Sequence, residues 1–168
     1  MLDAVVSSIK SYTRLSEKEI SNFTDRLQEK YVQKGSYLLE KGAICRFFAF
    51  LNSGSFKQYH KDNELNEVIV NLYTQSHWVF DHQSFTGQKP AENWIEAYED
   101  SSVLVISMDD IHELIGRSQA YFGLGRILET GFQIKFQKAK LTPEEKYLEL
   151  LNKRPDLIQT FPLKYLAS

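Results

Sequence analysis

Between Tyr31 and Ser107 the apolar residues of this 168-residue chain recur with a period of two, and segments of helical period flank that stretch on both sides. A period of two sends successive side chains to opposite faces of a strand. Short runs of this kind, separated by turn residues, close as an antiparallel sandwich or small barrel. The runs are Tyr31–Gly35, Tyr37–Leu39, Arg46–Leu51, Ser55–His60, Glu67–Tyr73, Trp94–Tyr98 and Val103–Ser107. Turn signals stand at Lys34-Gly35, Lys41-Gly42, Asn52-Ser-Gly54 and Lys61-Asp-Asn63. Phe56, Gln58 and His60 alternate with Lys57 and Tyr59, which predicts a strand with one partly solvated face.

The flanks read as helices. Ser16 with Glu19 forms a capping box, and Ile20, Phe23 and Leu27 follow on one face, predicting a helix from Glu17 to Glu29. Met108 to Ile115 reads as a short helix ending near Gly116, and Ser118 caps a longer one reaching Lys140. Along that helix Leu124, Ile127, Leu128, Gly131 and Ile134 form one stripe, while Phe122, Phe132 and Phe136 look elsewhere. Two apolar faces imply two partners, although the stripe could equally pack on its own sheet. Thr142, Pro143 and Glu145 then occupy N-cap, N1 and N3 of a further helix, and Arg154-Pro155 ends it. In Phe161–Ser168, Pro162 suits a first helical position and Leu163, Leu166 and Ala167 fall at i, i+3 and i+4. That is either the opening of a helix-turn-helix that stops before its turn, or a terminal turn of no special meaning.

Composition excludes several classes. Apolar residues make up 42% of the chain, enough for a core, and the net charge of −2 excludes a wholly basic nucleic-acid binder. Residues 133–168 carry seven Lys/Arg against four Asp/Glu, net +3, leaving −5 for residues 1–132: an acidic body with a mildly basic tail. One cysteine, Cys45, excludes an internal disulfide and a four-cysteine metal site. No secretory signal and no 18-residue apolar run is present, so a soluble cytoplasmic protein is expected. His60, His77, His82 and His112 form no His-x-His pair, and His77 and His82 are placed on a loop, so no metal or other cofactor is expected. Nor is there a nucleophile triad, a phosphate loop or a dinucleotide fingerprint, so no enzymatic activity is expected.

The order of elements, carried by particular residues, resembles the Crp/Fnr family of bacterial transcription regulators. Gly35-Ser-Tyr-Leu-Leu-Glu-Lys-Gly42 is similar to the family's glycine-punctuated hairpin, and Phe47–Gly54 to its strand ending in a Ser-Gly turn. Phe85-Thr-Gly-Gln-Lys-Pro90 resembles the loop of the effector cassette, and Val103–Ser107 with Asp109 the last strand and short helix. Thr142–Tyr147 and Arg154-Pro-Asp156 resemble the hinge before the DNA-binding domain, and Phe161–Ser168 its first helix. The resemblance implies an α+β fold: an antiparallel double-stranded β-roll, jelly-roll-like and of the cyclic-nucleotide-binding type, with N-terminal helices and a long C-terminal dimerisation helix. It divides the chain into an effector-type roll (1–117), a dimerisation helix (118–140), and a hinge with the start of a truncated helix-turn-helix (141–168). It further implies a homodimer paired through Leu124, Ile127, Leu128, Gly131 and Ile134.

In cyclic-nucleotide binders of this family a Gly-Glu pair opens a short helix, and an Arg-Ser/Thr pair follows about ten residues later to hold the phosphate. An ungapped match anchored on Trp94 and Ala97 puts Phe80 at the glycine, Asp81 at the glutamate, Ala91 at the arginine and Glu92 at the Ser/Thr. No arginine lies between Arg46 and Arg117, and Lys89 is the nearby cation. The implied pocket comprises Trp78, Phe80, Asp81, Phe85, Lys89, Ala91, Glu92 and Trp94, with Tyr73 near it. Its walls suit a neutral or cationic apolar ligand better than a phosphate, unless the aromatics simply fill the roll. The expected function is the sensory and dimerisation part of a Crp/Fnr-like regulator whose effector is not cAMP or has been lost, with DNA bound by a C-terminal domain outside this chain. The alternative is a stand-alone β-roll that binds a small molecule or a protein and has no DNA role.

Overall fold

The computed structural model describes residues 2–130 and 142–166. Strands β1 (Gln28–Val32), β2 (Tyr37–Leu39), β3 (Phe47–Ser53), β4 (Phe56–Lys61), β5 (Glu67–Tyr73), β6 (Trp78–Val79), β7 (Trp94–Ala97) and β8 (Ser101–Ser107) form two antiparallel sheets. Their orders are β1-β8-β3-β6 and β2-β7-β4-β5. The inner faces of the sheets meet in one apolar cluster that includes Phe48, Phe50, Phe56, Ile95 and Ile106. This is the expected double-stranded roll. The turn joining β3 to β4 needs Gly54: its φ is +94°, and a Cβ there would strike the Ser101 hydroxyl and lie 2.7 Å from the Asp100 carbonyl oxygen.

Helices α1 (Leu2–Tyr12) and α2 (Glu17–Thr24) precede the roll. The Ser16–Glu19 capping box is present, but α2 stops at Thr24 rather than running to Glu29. Gln28 is already paired with Val105 across β1 and β8, and that ladder outweighs the helical periodicity of Leu27. Strand β6 went unread in the sequence, as did helix α3 (His82–Gly87), so His82 opens a helix instead of lying on a loop. Helix α4 (Met108–Arg117) is capped by Ser107 and passes through Gly116.

Beyond α4 the expected uniform helix from Ser118 does not form. Ser118 does cap, but Gln119–Arg126 is a 3-10 helix, followed by the α-helical turn α5 (Ile127–Thr130). Gly123 lies tight against Thr13, where a Cβ would collide with that side chain, and Gly123 and Gly125 are both weak helix formers. Leu124 and Ile127 are each 1% exposed and belong to the roll's own core, with Leu128 packed against it. Phe122 is instead the exposed large apolar side chain of this stretch, at 63%. Gly131, Ile134, Phe132 and Phe136 lie outside the described residues.

The chain resumes in α6 (Pro143–Lys153), α7 (Pro155–Thr160) and α8 (Leu163–Leu166). Thr142, Pro143 and Glu145 take the expected capping positions, and Arg154-Pro155 divides α6 from α7. Leu150, Leu157, Phe161 and Leu166 form a second cluster with Leu72 of β5. Leu163, expected on the same face as Leu166, is 60% exposed. The outer face of β4, expected to be wet, is therefore covered: Lys57 is 7% and Tyr59 2% exposed.

Gly54→Ala is expected to cost at least about 2 kcal/mol in urea unfolding, from backbone strain plus collision. Gly35→Ala shares a positive φ but meets open space, and should cost only about 1 kcal/mol.

Candidate functional site

The region between β6 and β7 is organised by Asp81. It caps α3 from extended backbone, and its Oδ1 accepts from the Ser84 amide at 2.9 Å. Its other oxygen accepts from Gln58 Nε2 at 3.0 Å. Gln58 Oε1 in turn lies 2.8 Å from the Tyr73 hydroxyl, which is 3.1 Å from the Phe80 carbonyl and accepts from Asn71 Nδ2 at 3.0 Å. Asn71, Tyr73, Gln58 and Asp81 thus form a continuous buried polar chain along the inner face of β4 and β5. Burial pushes the Tyr73 phenol well above its ordinary range.

Ser84 extends the network, donating to the Lys89 carbonyl at 2.6 Å and accepting from the Cys45 amide at 2.8 Å. Burial holds the Cys45 thiol up at about 11, so it is a neutral packing group rather than a nucleophile. Around this chain the aromatics interlock. Phe48 stacks on Phe85 at 4.3 Å and meets Phe80 edge-on at 4.8 Å. Trp78 packs edge-on against Phe50 and donates from its indole to Ser8.

Of the eight pocket residues expected from the sequence, Trp78, Phe80, Asp81 and Phe85 come together inside the roll, and Ala91 is buried in the same cluster. Lys89 and Glu92 are exposed. Trp94 belongs elsewhere. Ile95 and Ala97 turn inward, so alternation sends Trp94 to the outer face, stacked on Tyr59 at 5.6 Å with Lys41 and Lys61 over its ring. The sequence reading missed Gln58, Asn71 and Ser84. Gln58 left a signal, an amide alternating inward between Phe56 and His60. Ser84 left none.

The outer face of the same sheet holds a second polar group. Lys57 Nζ lies 2.8 Å from Glu67 and 3.4 Å from Glu96, and sits over the rings of Tyr59 and Tyr165 at 5.0 and 5.3 Å. Burial alone would pull the Lys57 amine down, but the two carboxylates outweigh it and hold it up. Where β5 ends, Thr74 donates to Asp156, which Arg154 grips through Nε at 3.1 Å and a second nitrogen at 3.0 Å. Burial opposes ionisation of Asp156, yet Arg154 and Thr74 prevail and bring it down to about 2. His77 faces Arg154 and Asp156, and burial followed by the Arg154 charge lowers its pKa. Among the described residues no three His, Cys, Asp or Glu side chains gather as metal ligands. No described helix is long and apolar enough to cross a membrane.

Residues 29–118 match the family described as the cyclic nucleotide-binding domain, and the chain belongs to that family. Solved structures agree in fold. A cyclic nucleotide-binding domain from Methylobacillus flagellatus KT superposes with a TM-score of 0.68 at 13% identity, over 90% of this chain and 83% of that one. The sensor domain of the transcriptional regulator DNR from Pseudomonas aeruginosa gives 0.63 at 16% identity, over 83% and 93%. The catabolite activator protein of Thermus thermophilus gives 0.58 at 16%, over 86% of this chain but 61% of that one. Separately, 68 residues are 35% identical to altered inheritance of mitochondria protein 21 of Debaryomyces hansenii, covering 40% of this chain and only 10% of that protein.

Two outcomes follow. Asp81→Ala removes the α3 cap and strands the Gln58 amide, so unfolding free energy should fall by about 2–3 kcal/mol, and Asp81→Asn should cost less. Since His77 is harder to protonate folded than unfolded, the unfolded chain binds more protons below a pH of about 6.5. The thermal midpoint should therefore fall from pH 7 to pH 5, and His77→Gln should flatten that slope.

Proposed function

We propose that this chain is the sensory portion of a Crp/Fnr-like transcription regulator, acts without catalysis, and does not take cAMP or cGMP at its cassette. The observation that carries the reading is the Asp81 carboxylate on the Ser84 amide in the first turn of α3. A cyclic phosphate bound in the family's manner needs the amides of that turn and a cation. Here the amide of Ser84 is taken by an internal anion. Ala91, aligned with the phosphate-binding arginine, offers only a buried methyl group. A phosphate held about 4 Å from Asp81 would meet a repulsion of about 4 kcal/mol at an effective dielectric of 20. Glu92 adds a further negative charge at the rim.

On this reading the roll either takes a neutral or cationic apolar effector or has given up ligand binding, and no cofactor is needed. The chain acts as a cytoplasmic homodimer, divided into a roll (1–117), a connecting and dimerising segment (118–140) and a hinge region (141–168). Because Leu124 and Ile127 are engaged by their own roll, Phe122 is the described apolar side chain of that segment best placed to meet a second copy. DNA contact would fall to a helix-turn-helix that Phe161–Ser168 opens.

Millimolar cAMP should leave the thermal midpoint unchanged, whereas a ligand present at a hundred times its dissociation constant adds about 2.7 kcal/mol of stability. A cAMP-dependent rise in midpoint would overturn this reading of the cassette.

A further inference from the structure

A cavity of about 80 Å³ opens where the turn between β5 and β6 meets α1 and the N-cap of α7, with Tyr12, Tyr73, Ser76, His77, Trp78 and Arg154 in its lining. Asp81, Phe85 and Ala91 do not line it, so it is separate from the cassette. The turn fixes His77 in place. Ser76 takes a left-handed φ of +69°, its amide donates to the Leu51 carbonyl, and the Leu51 amide donates back to the His77 carbonyl. On the His77 ring, Nδ1 lies 3.0 Å from the Thr74 carbonyl and 3.1 Å from the Thr74 hydroxyl. A carbonyl only accepts, and the Thr74 proton is already given to Asp156, so Nδ1 carries the hydrogen. Neutral His77 therefore keeps a bare lone pair on Nε2, at the other edge of the ring.

Arg154 spends Nε and Nη2 on Asp156, which leaves Nη1. Among the described residues, Arg154 Nη1, His77 Nε2 and the hydroxyls of Tyr12 and Ser76 have no hydrogen-bond partner. Three of these four groups can donate as they stand, and Nε2 donates once protonated. The charges of Arg154 and Asp156 cancel, so a protonated His77 leaves the cavity one positive charge in excess. The buried Tyr73 and Trp78 supply ring walls. We propose that this cavity binds a small monocarboxylate of about two to four carbons, the size its volume admits, and takes up one proton at His77 as it does so. The carboxylate accepts from Nη1, the Tyr12 hydroxyl and protonated Nε2, and the short chain lies against the rings. Without the proton, the Nε2 lone pair faces the carboxylate and repels it. Burial and Arg154 hold His77 neutral near pH 7, so the anion draws the proton from solvent when it binds. Arg154 and Asp156, at the start of α7, are the charged groups facing His77; Tyr12 of α1 and Tyr73 of β5 are the other titratable side chains of the cavity. The proposal does not depend on the reading of the cassette.

Titration of the full chain with sodium propionate tests it, followed by nuclear magnetic resonance of histidine-labelled protein and by calorimetry. Free His77 should show the Nδ1–H tautomer at pH 7. Propionate should saturate at millimolar concentration at pH 6, move Nε2 to its protonated position, and take up one proton when buffers of different ionisation enthalpy are compared. Affinity should be at least about tenfold weaker at pH 8. Tyr12→Phe should weaken binding at least about threefold while leaving the thermal midpoint of the free protein unchanged, and His77→Gln should abolish the proton uptake. No saturation by about 100 mM propionate, equal affinity at pH 6 and pH 8, or proton uptake that survives in His77→Gln would overturn the proposal. Nitrate or inorganic phosphate binding as tightly as propionate would overturn the assignment to a carboxylate.

Discussion

Everything distinctive about this protein depends on one strand pair whose adjoining segments, Phe56–Tyr59 of β4 and Asn71–Tyr73 of β5, are buried on both faces. Most antiparallel sheets present one face to solvent, and their strands alternate apolar with polar. Here β4 and β5 spend one set of alternate residues on an internal polar chain and the other on the C-terminal helices. Each exterior position therefore carries a paired polar or an apolar side chain, from Lys57 between two carboxylates to Leu72 in the second cluster. The roll's general form follows from its alternating strands. The identity of its interior and of its covering layer follows from what β4 and β5 carry.

Asp81 is the centre of the interior. A carboxylate in an apolar setting needs hydrogen bonds to every available lone pair or a counter-charge. Asp81 has an amide from its own helix and an amide from Gln58, and the Gln58 oxygen is satisfied by Tyr73. The chain of amides and hydroxyls supplies donors without importing a cation. The same arrangement consumes the groups that a phosphate-binding cassette would leave free. On the reading proposed above, stability of α3 and refusal of an anion have one cause.

Much of this was readable from the sequence, for identifiable reasons. The roll was legible because period-two runs between glycine and asparagine turns have few competing readings, and the caps at Ser16, Ser118 and Thr142 because capping chemistry is local. The family resemblance led to Asp81 and Ala91, and both lie buried in the roll. The end of α2 was not legible, because the ladder between Gln28 and Val105 joins residues far apart in sequence. The 3-10 winding after Ser118 was not legible either, and the close fit of Gly123 against Thr13 in that segment is again a distant contact. Trp94 was misplaced because an aromatic in a cassette looks like a pocket wall until the inward facing of Ile95 and Ala97 is known. The covered face of β4 could not be foreseen, since Lys57 reads as a solvated residue until Tyr165 and Glu96 are placed beside it.

The Asp81 carboxylate caps α3 through the Ser84 amide, and that amide reports on the contact most directly. Nuclear magnetic resonance of the uniformly labelled protein would follow that one proton. The account predicts slow exchange with solvent at neutral pH, a shift that tracks Asp81→Asn, and no change on adding cyclic nucleotide. A rapidly exchanging Ser84 amide that moves and becomes protected when cyclic nucleotide is added would contradict it.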